Sequence, residues 1–171
     1  MRAVLGGEVE AYGILVRRYQ DLLYRYVERM TGRPDDAADI VQAALVKGYR
    51  SLRLCRSPER VGAWLFRIAA NACKDYLKSR RRRDVGLEEV PEPVSDLGQP
   101  ASTLERRELA ILIGRALLSL PVEQREAFVL KHVEGCSYEE MSELLGASIP
   151  ALKMRVHRAR EELRKLLEAY R

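Results

Sequence analysis

The sequence "SYEEMSELLGASIPALKMRVHRAR" (residues 137–160) changes from acidic to basic halfway along, and both halves carry apolar residues at helical spacing. Ser137 and Glu140 fit the S-x-x-E pattern of a capping box, which predicts that a helix begins here. Gly146 can adopt the left-handed conformation that ends a helix, and Ser148 is a suitable N-cap for a second one. The stretch therefore predicts two short helices joined by a tight turn.

The second of these helices has an apolar face and a basic remainder. Its apolar residues are spaced by four and three positions: Leu152, Val156, Ala159, Leu163 and Leu166. A tight helix pair with a basic second helix is typical of a helix-turn-helix, whose second helix enters the major groove of DNA. The predicted DNA-binding residues are Lys153, Met154, His157 and Arg158 at base edges, Arg155 and Arg160 at phosphates, and Ser148 at the turn. Two other interpretations are a helical hairpin that only packs, with solvated lysines and arginines, and a buried structural role for His157.

Charge is unevenly distributed along the 171 residues. Residues 1–83 hold 18 basic and 9 acidic residues, whereas residues 84–104 hold five acidic residues and no basic one. Two basic regions flanking an acidic stretch favour a polyanionic partner such as nucleic acid, although a well-solvated surface explains the charge equally well.

Composition also limits the cellular setting and the class of protein. No run of about 18 apolar residues is present, which argues against membrane insertion, and the N-terminus has no secretory pattern. Three widely spaced cysteines without a C-x-x-C pair favour a reducing, cytoplasmic location.

The rest of the chain is also periodic at helical spacing. Apolar residues recur at three- and four-residue steps from Glu8 to Met30, and Gly32 and Pro34 end this segment. A second helix opens at Asp35 and carries the apolar residues Ile40, Val41, Ala44, Leu45, Tyr49 and Leu52. A third starts at Ser57-Pro58 and ends in "KSRRRR". Because no segment alternates at period two, we expect an all-α protein.

Two small helical domains are predicted, joined by a flexible acidic linker. Residues 84–103, "DVGLEEVPEPVSDLGQPAST", contain three prolines, two glycines and five acidic residues and show no periodicity. We therefore expect a three-helix domain at 1–83, a linker at 84–103 and a helix-turn-helix domain at 104–171. In the second domain, "SLPVEQREAFVLKHVEG" predicts one helix with Pro121 near its start and Gly135 past its end.

Four segments resemble a known family. "SYEEMSELLGASIPALKMRVHRAREELRKLL" and the preceding "LPVEQREAFVLKHVEG" resemble the C-terminal domain of bacterial sigma factors of the extracytoplasmic-function (ECF) group. "DDAADIVQAALVKGYRSL" and "AWLFRIAANACKDYLKSRRRR" resemble the N-terminal domain of the same group. The resemblance implies a protein that binds core RNA polymerase and directs it to promoter DNA. It also implies an anti-sigma partner and no enzymatic activity.

The resemblance assigns further sites. It implies that the second helix contacts the polymerase through Asp36, Asp39 and Gln42, although these aspartates also suit the dipole at a helix start. It implies that the N-terminal domain captures the −10 element as single-stranded DNA through Asn71, with phosphates contacted by Arg67, Lys74, Lys78, Arg80 and Arg81. The C-terminal domain would read the −35 element. Trp64 suits either base stacking or the core, and the "RRRR" run suits either phosphates or solvent.

Other functions have less support in the residues. His132 and Cys136 have a spacing that suits a metal, but only two ligands are visible, so we expect no metal and no other cofactor. Residue patterns of nucleophilic, acid–base or nucleotide-dependent catalysis are missing, and we expect no catalytic residue. The alternatives that stay open are a helix-turn-helix regulator acting without polymerase and a protein whose basic faces bind acidic proteins.

Overall fold

All secondary structure in the described residues is helical, which confirms the predicted fold class. A computed structural model of the chain describes residues 9–83 and 104–168. The helices are α1 (Val9–Thr31), α2 (Pro34–Ser51) and α3 (Val61–Arg83) in the first half, and α4 (Leu104–Ser119), α5 (Val122–Phe128), α6 (Tyr138–Leu145) and α7 (Ile149–Glu168) in the second. Residues 1–8, the predicted linker at 84–103, and residues 169–171 lie outside the described residues.

The breaks between the first helices follow the sequence closely. Gly32 has a φ of 68°, and its N–H donates to the Glu28 carbonyl at 2.7 Å, which closes α1. Pro34 then occupies the first position of α2, where no helical donor is lost. The start of α3 differs from the prediction: a 3-10 turn, Pro58–Arg60, precedes it, and the Ser57 side chain makes no capping hydrogen bond.

The segment predicted as one helix before Gly135 has two parts. Helix α5 ends at Phe128 and continues as a wider π-helical turn, Val129–Val133. The Glu134 N–H donates to the Val129 carbonyl at 3.0 Å, five residues back, instead of four as in an α-helix. Gly135 ends the segment with a φ of 73°, as the sequence predicted.

One apolar core runs through both halves of the chain, and each half has a smaller cluster of its own. It joins buried residues of α1, α2 and α3 to buried residues of α5, the π-helical turn, α6 and α7. The rings of Tyr26 and Phe66 lie 4.5 Å apart in this core, and Met141 and Leu152 of the helix-turn-helix are fully buried in it. The two halves therefore pack against each other through side chains that each half would otherwise expose.

Two charged residues of α5, Arg125 and Glu126, are buried where the halves meet, with 6% and 1% of their surfaces exposed. Arg125 donates to the Met30 carbonyl of α1 and to the carbonyls of Leu118 and Leu120, the last two at 2.6 and 3.1 Å. Burial lowers the pKa of Arg125 to about 10, so the guanidinium stays charged at neutral pH. This residue ties the end of α1 to the α4–α5 connection.

Alanine at Gly32 and at Gly135 gives a matched test of this packing. Both glycines have a positive φ, so both substitutions introduce the same kind of backbone strain. A Cβ at Gly32 would lie 2.6 Å from Leu118 Cδ1 of the other half, whereas one at Gly135 meets nothing within 4 Å. We expect Gly32→Ala to reduce the free energy of unfolding by about 1–2 kcal/mol more than Gly135→Ala, measured by urea denaturation. Equal losses would mean that the halves do not pack here in solution.

Candidate functional site

The helix-turn-helix predicted from residues 137–160 is present, and both the capping box and Gly146 act as the sequence predicted. The Glu140 N–H donates to Ser137 Oγ at 3.1 Å, and the Ser137 N–H donates to Glu140 Oε2 at 2.7 Å, which completes the capping box. These hydrogen bonds lower the pKa of Glu140. Gly146 has a φ of 66° and closes α6, so that α7 starts after a turn of three residues.

Helix α7 buries its apolar face and exposes its basic face. Leu152, Val156, Ala159 and Leu163 are buried, whereas Lys153, Met154, His157, Arg158 and Arg160 are exposed. Met154 is an apolar side chain with 50% of its surface in solvent. His157 is among the exposed side chains, so it is not the buried histidine that its position also allowed. One face of α7 thus presents donors and a thioether where a helix-turn-helix meets base edges.

Lys153 and Arg155 of α7 have different neighbours. The Lys153 ammonium lies 5.6 Å from the centre of the Tyr138 ring, and the Lys131 ammonium lies 4.9 Å from the same centre. Arg155 is half-buried and lies 3.6 Å from the Glu123 carboxylate of α5, on the side of α7. The Ser148 side chain is exposed and has no hydrogen-bond partner within the described parts of the chain.

Four of the five cations predicted on α3 form a stripe along one side of the helix together with Asn71. Arg67, Asn71, Lys74, Lys78 and Arg81 follow each other at steps of four and three, which brings them onto one face. The stripe extends for about 21 Å at the α-helical rise per residue. Lys74 is half-buried, whereas Arg67, Asn71, Lys78 and Arg81 are exposed. We call these five residues the α3 stripe.

A cavity of 230 Å³ opens beside the first residue of the α3 stripe. Three arginines line it, Arg56, Arg60 and Arg67, together with Trp64 and Glu143. Trp64 packs partly against the buried cluster around Leu65, so its ring serves both as core and as a cavity wall. Leu54, with 73% of its surface exposed, lies at the cavity from the connection before α3.

The three residues predicted on α2 have different surroundings. Asp39 and Gln42 are exposed on the helix surface. Asp36 is half-buried; it accepts a hydrogen bond from the Tyr76 hydroxyl at 2.5 Å and lies 3.7 Å from the Arg80 guanidinium. Burial raises the pKa of Tyr76, and the hydrogen bond to Asp36 raises it further. The structure therefore leaves Asp39 and Gln42 accessible and joins Asp36 to α3.

A groove of 550 Å³ between α1 and α2 was not predicted from the sequence. Gln42 is part of its wall, together with Tyr12, Val46 and Tyr49. Val46 is 44% exposed, and Tyr49, which the periodicity assigned to the apolar face, is 41% exposed. The signal that sequence reasoning could have used is Val46, an apolar residue that lies outside the apolar positions of α2.

The described residues offer neither a metal site nor a membrane-spanning helix. Within 9–83 and 104–168, His, Cys, Asp and Glu side chains do not come together in groups of three or more that could hold a metal ion. His132 is exposed, and its ring lies 4.8 Å from the Phe128 ring. Among the described helices, none combines the length and the apolar character needed to cross a membrane.

Comparison with known proteins gives two family matches in the order of the two halves. Residues 15–83 match the family described as Sigma-70 region 2, and residues 110–163 match Sigma-70, region 4. The chain is 31% identical to the ECF RNA polymerase sigma-E factor of Haemophilus influenzae over 95% of this chain and 90% of that protein. It is 32% identical to the ECF RNA polymerase sigma-E factor of Escherichia coli K12 over 92% of this chain and 86% of that protein.

Two solved structures are similar in fold. The sigma factor RpoE of Bartonella quintana, solved with the anti-sigma factor NepR, has a TM-score of 0.73 and 26% identity over 95% of this chain and 99% of that one. CnrH, solved with the cytosolic domain of CnrY, has a TM-score of 0.68 and 28% identity over 98% of this chain and 94% of that one. The chain therefore belongs to the ECF group of sigma-70 family sigma factors, which bind core RNA polymerase and direct transcription initiation at promoters.

Proposed function

We propose that residues 1–83 bind core RNA polymerase and capture the −10 element, that residues 84–103 link the two domains, and that residues 104–171 read the −35 element. Two separate cationic faces, the α3 stripe and the exposed face of α7, carry this proposal. One basic face would suffice for a helix-turn-helix regulator that acts without polymerase. The role is binding rather than catalysis, and the cytoplasm, where core polymerase meets promoters, is its setting.

On the −35 side, we assign base edges to Lys153, Met154, His157 and Arg158. Their common exposure on α7 supports this assignment, because a helix-turn-helix reads bases with the exposed face of its second helix. Met154 offers an apolar contact of the kind that suits a thymine methyl group. We assign phosphates to Ser148, whose hydroxyl is exposed, to Arg160 and to Arg155 beside Glu123.

On the −10 side, we assign the cations of the α3 stripe, with Arg80, to the phosphates of a melted strand and Asn71 to a base edge. Opening DNA costs on average about 1.4 kcal/mol of stacking per base-pair step, and a pocket that holds an extruded base offsets part of that cost. The 230 Å³ cavity supports this role, since it combines an aromatic wall from Trp64 with guanidinium groups from Arg60 and Arg67.

For polymerase docking, we assign the exposed surface of α2 that carries Asp39 and Gln42. The groove between α1 and α2 supports this site, because Val46 and Tyr49 supply apolar area next to a carboxylate and an amide. Asp36 belongs to the same surface, but its carboxylate is already held by Tyr76 and Arg80. Its share in docking would require it to exchange these partners for groups of the polymerase.

An anti-sigma factor is the third partner that we propose. The RpoE relative of Bartonella quintana was solved with the anti-sigma factor NepR, and its fold covers almost all of this chain. A protein that engages both halves of the chain would prevent them from reaching the two promoter elements together.

Reconstituted transcription tests the whole proposal. Added to core RNA polymerase on a pool of genomic promoters, the chain is expected to produce run-off transcripts from new start sites. Asp39→Lys places a like charge opposite basic polymerase groups and should weaken core binding by about tenfold or more. Glu108→Lys on α4 is the matched control, since Glu108 is also exposed, and should bind core normally. DNA binding without any new start site would instead identify a regulator that acts without polymerase.

Alanine at Arg158 and at Arg160 separates base recognition from phosphate contact. In the complex with core polymerase, Arg158→Ala should reduce discrimination at one −35 base pair by about 1–3 kcal/mol. Arg160→Ala should weaken binding to all promoter sequences alike and make the salt dependence shallower. Competition binding to duplexes that carry each base in turn measures both effects. The base assignment is wrong if Arg158→Ala also weakens every sequence equally.

A further inference from the structure

We propose that His132 is a further DNA contact of the −35 surface, and that its imidazole binds a backbone phosphate in the protonated form, so that −35 binding tightens as the pH falls. This inference rests on the −35 role proposed above for α7. It adds a contact from the π-helical turn, which precedes the helix-turn-helix in the chain. It also adds a sensitivity to pH that lysine and arginine do not provide.

The π-helical turn lies beside the basic face of α7 at two points. Lys153 and Arg160 are seven residues apart, which is about two helical turns, so both project from the same face of α7. Lys131 of the π-helical turn and Lys153 lie over the same ring, that of Tyr138. Burial lowers the pKa of His132, and the charge of Arg160 lowers it further, which places the imidazole close to Arg160. The turn thus follows the face that is assigned to DNA.

The His132 side chain is held from one side and open on the other. Its ring lies 4.8 Å from the ring of Phe128, which packs against the buried cluster that contains Ala159 and Leu163 of α7. The side chain is nevertheless exposed, and within the described parts of the chain its nitrogen atoms have no hydrogen-bond partner. Both nitrogen atoms of a protonated imidazole are donors, so one can serve a phosphate oxygen.

The charged groups that face His132 are both cations. They are Lys131 on the same turn and Arg160 on α7. The nearby carboxylate of Glu134 pairs instead with Arg29 of α1. Among the ion pairs of the described residues, none involves Lys131 or Arg160. Three side chains from two elements therefore form a positive patch that a phosphate would neutralise.

Protonation of His132 and phosphate binding favour each other at this position. In the free chain, burial and then the charges of Arg160 and Lys131 hold the pKa of His132 below its usual value of 6.5. A phosphate beside these side chains offsets the repulsion and raises the pKa in the complex. Binding therefore takes up a proton. Affinity is highest below the pKa of the free chain and falls as the pH rises through the pKa of the complex.

The histidine content of the chain makes a clean test possible. His132 and His157 are the two histidines among the 171 residues. The probe is a fluorescent duplex with the −35 part of a promoter recovered in the run-off assay. Its binding to core polymerase that carries the full chain is measured by anisotropy from about pH 5.5 to about pH 8 at constant ionic strength. His132→Gln and His157→Gln each remove one imidazole, and His132→Lys keeps a charge throughout this range.

We expect the affinity of the original chain to rise from pH 7.5 to pH 5.5 by at least about threefold more than that of His132→Gln, within the limit of about tenfold per pH unit for one proton. His132→Lys should bind at pH 7.5 as tightly as the original chain does at pH 5.5. Because His132 is exposed, neither substitution threatens folding. Polymerase groups that titrate affect all variants alike. If His132→Gln keeps the full rise, the inference is wrong, and loss of the rise in His157→Gln alone would place the titrating group on α7.

Arg160→Ala tests the −35 role on which the inference rests. It should weaken binding of the same duplex at every pH, since its guanidinium does not titrate in this range. If it does so while His132→Gln follows the original chain, the proposed function stands and only the histidine contact is wrong. If Arg160→Ala binds normally, this side of α7 is not a phosphate contact and the inference falls with it.

Discussion

The buried carboxylate of Glu126 is the group on which the arrangement of the two halves depends. It has two partners in the first half, the Tyr26 hydroxyl on α1 and the Lys74 ammonium on α3. A carboxyl group that is 1% exposed is costly to bury unless its hydrogen-bond partners are in place, so the position of α5 is fixed relative to two helices at once. Burial, with the nearby Glu126 charge, raises the pKa of Tyr26 well above its usual value and keeps its hydroxyl a donor.

The same contact links packing to the proposed DNA surface. Lys74 is half-buried because α5 covers it, and Arg67 is held by the backbone of α6. Asn71, Lys78 and Arg81 are exposed, and Arg67 is exposed although it donates to the Glu143 carbonyl. The second half thus covers part of the α3 stripe, whereas the basic face of α7 stays exposed.

Local signals predicted most of the helices and the exposed face of α7. Gly32 and Pro34, the capping box at Ser137 and the glycine at 146 act within a few residues, so they can be read without knowing the fold. The apolar steps from Leu152 to Leu163 likewise predicted which side of α7 is buried, and therefore which cations are exposed.

The contacts between the halves could not be predicted in this way. Tyr26 and Glu126 are 100 positions apart, and the local pattern around either residue does not indicate a contact with the other. One signal was nevertheless present: Val122, Arg125, Glu126, Val129 and Leu130 share one helical face, so two charged residues occupy positions of an apolar stripe. Periodicity wrongly predicted that Tyr49 is buried. Tyr49 is exposed in the groove between α1 and α2, and the width of that groove depends on the distance between the two helices rather than on the local sequence.

An exposed ion pair between the halves changes how salt acts on the free chain. Phosphate contacts release condensed counterions, and the number released is usually read from the slope of affinity against salt. Added salt also screens the exposed pair of Arg60 and Glu143, which frees the Arg60 guanidinium for nucleic acid. For DNA bound at this cation, the two effects on affinity oppose each other, so a salt titration of the free chain would give fewer released counterions than the number of phosphates contacted.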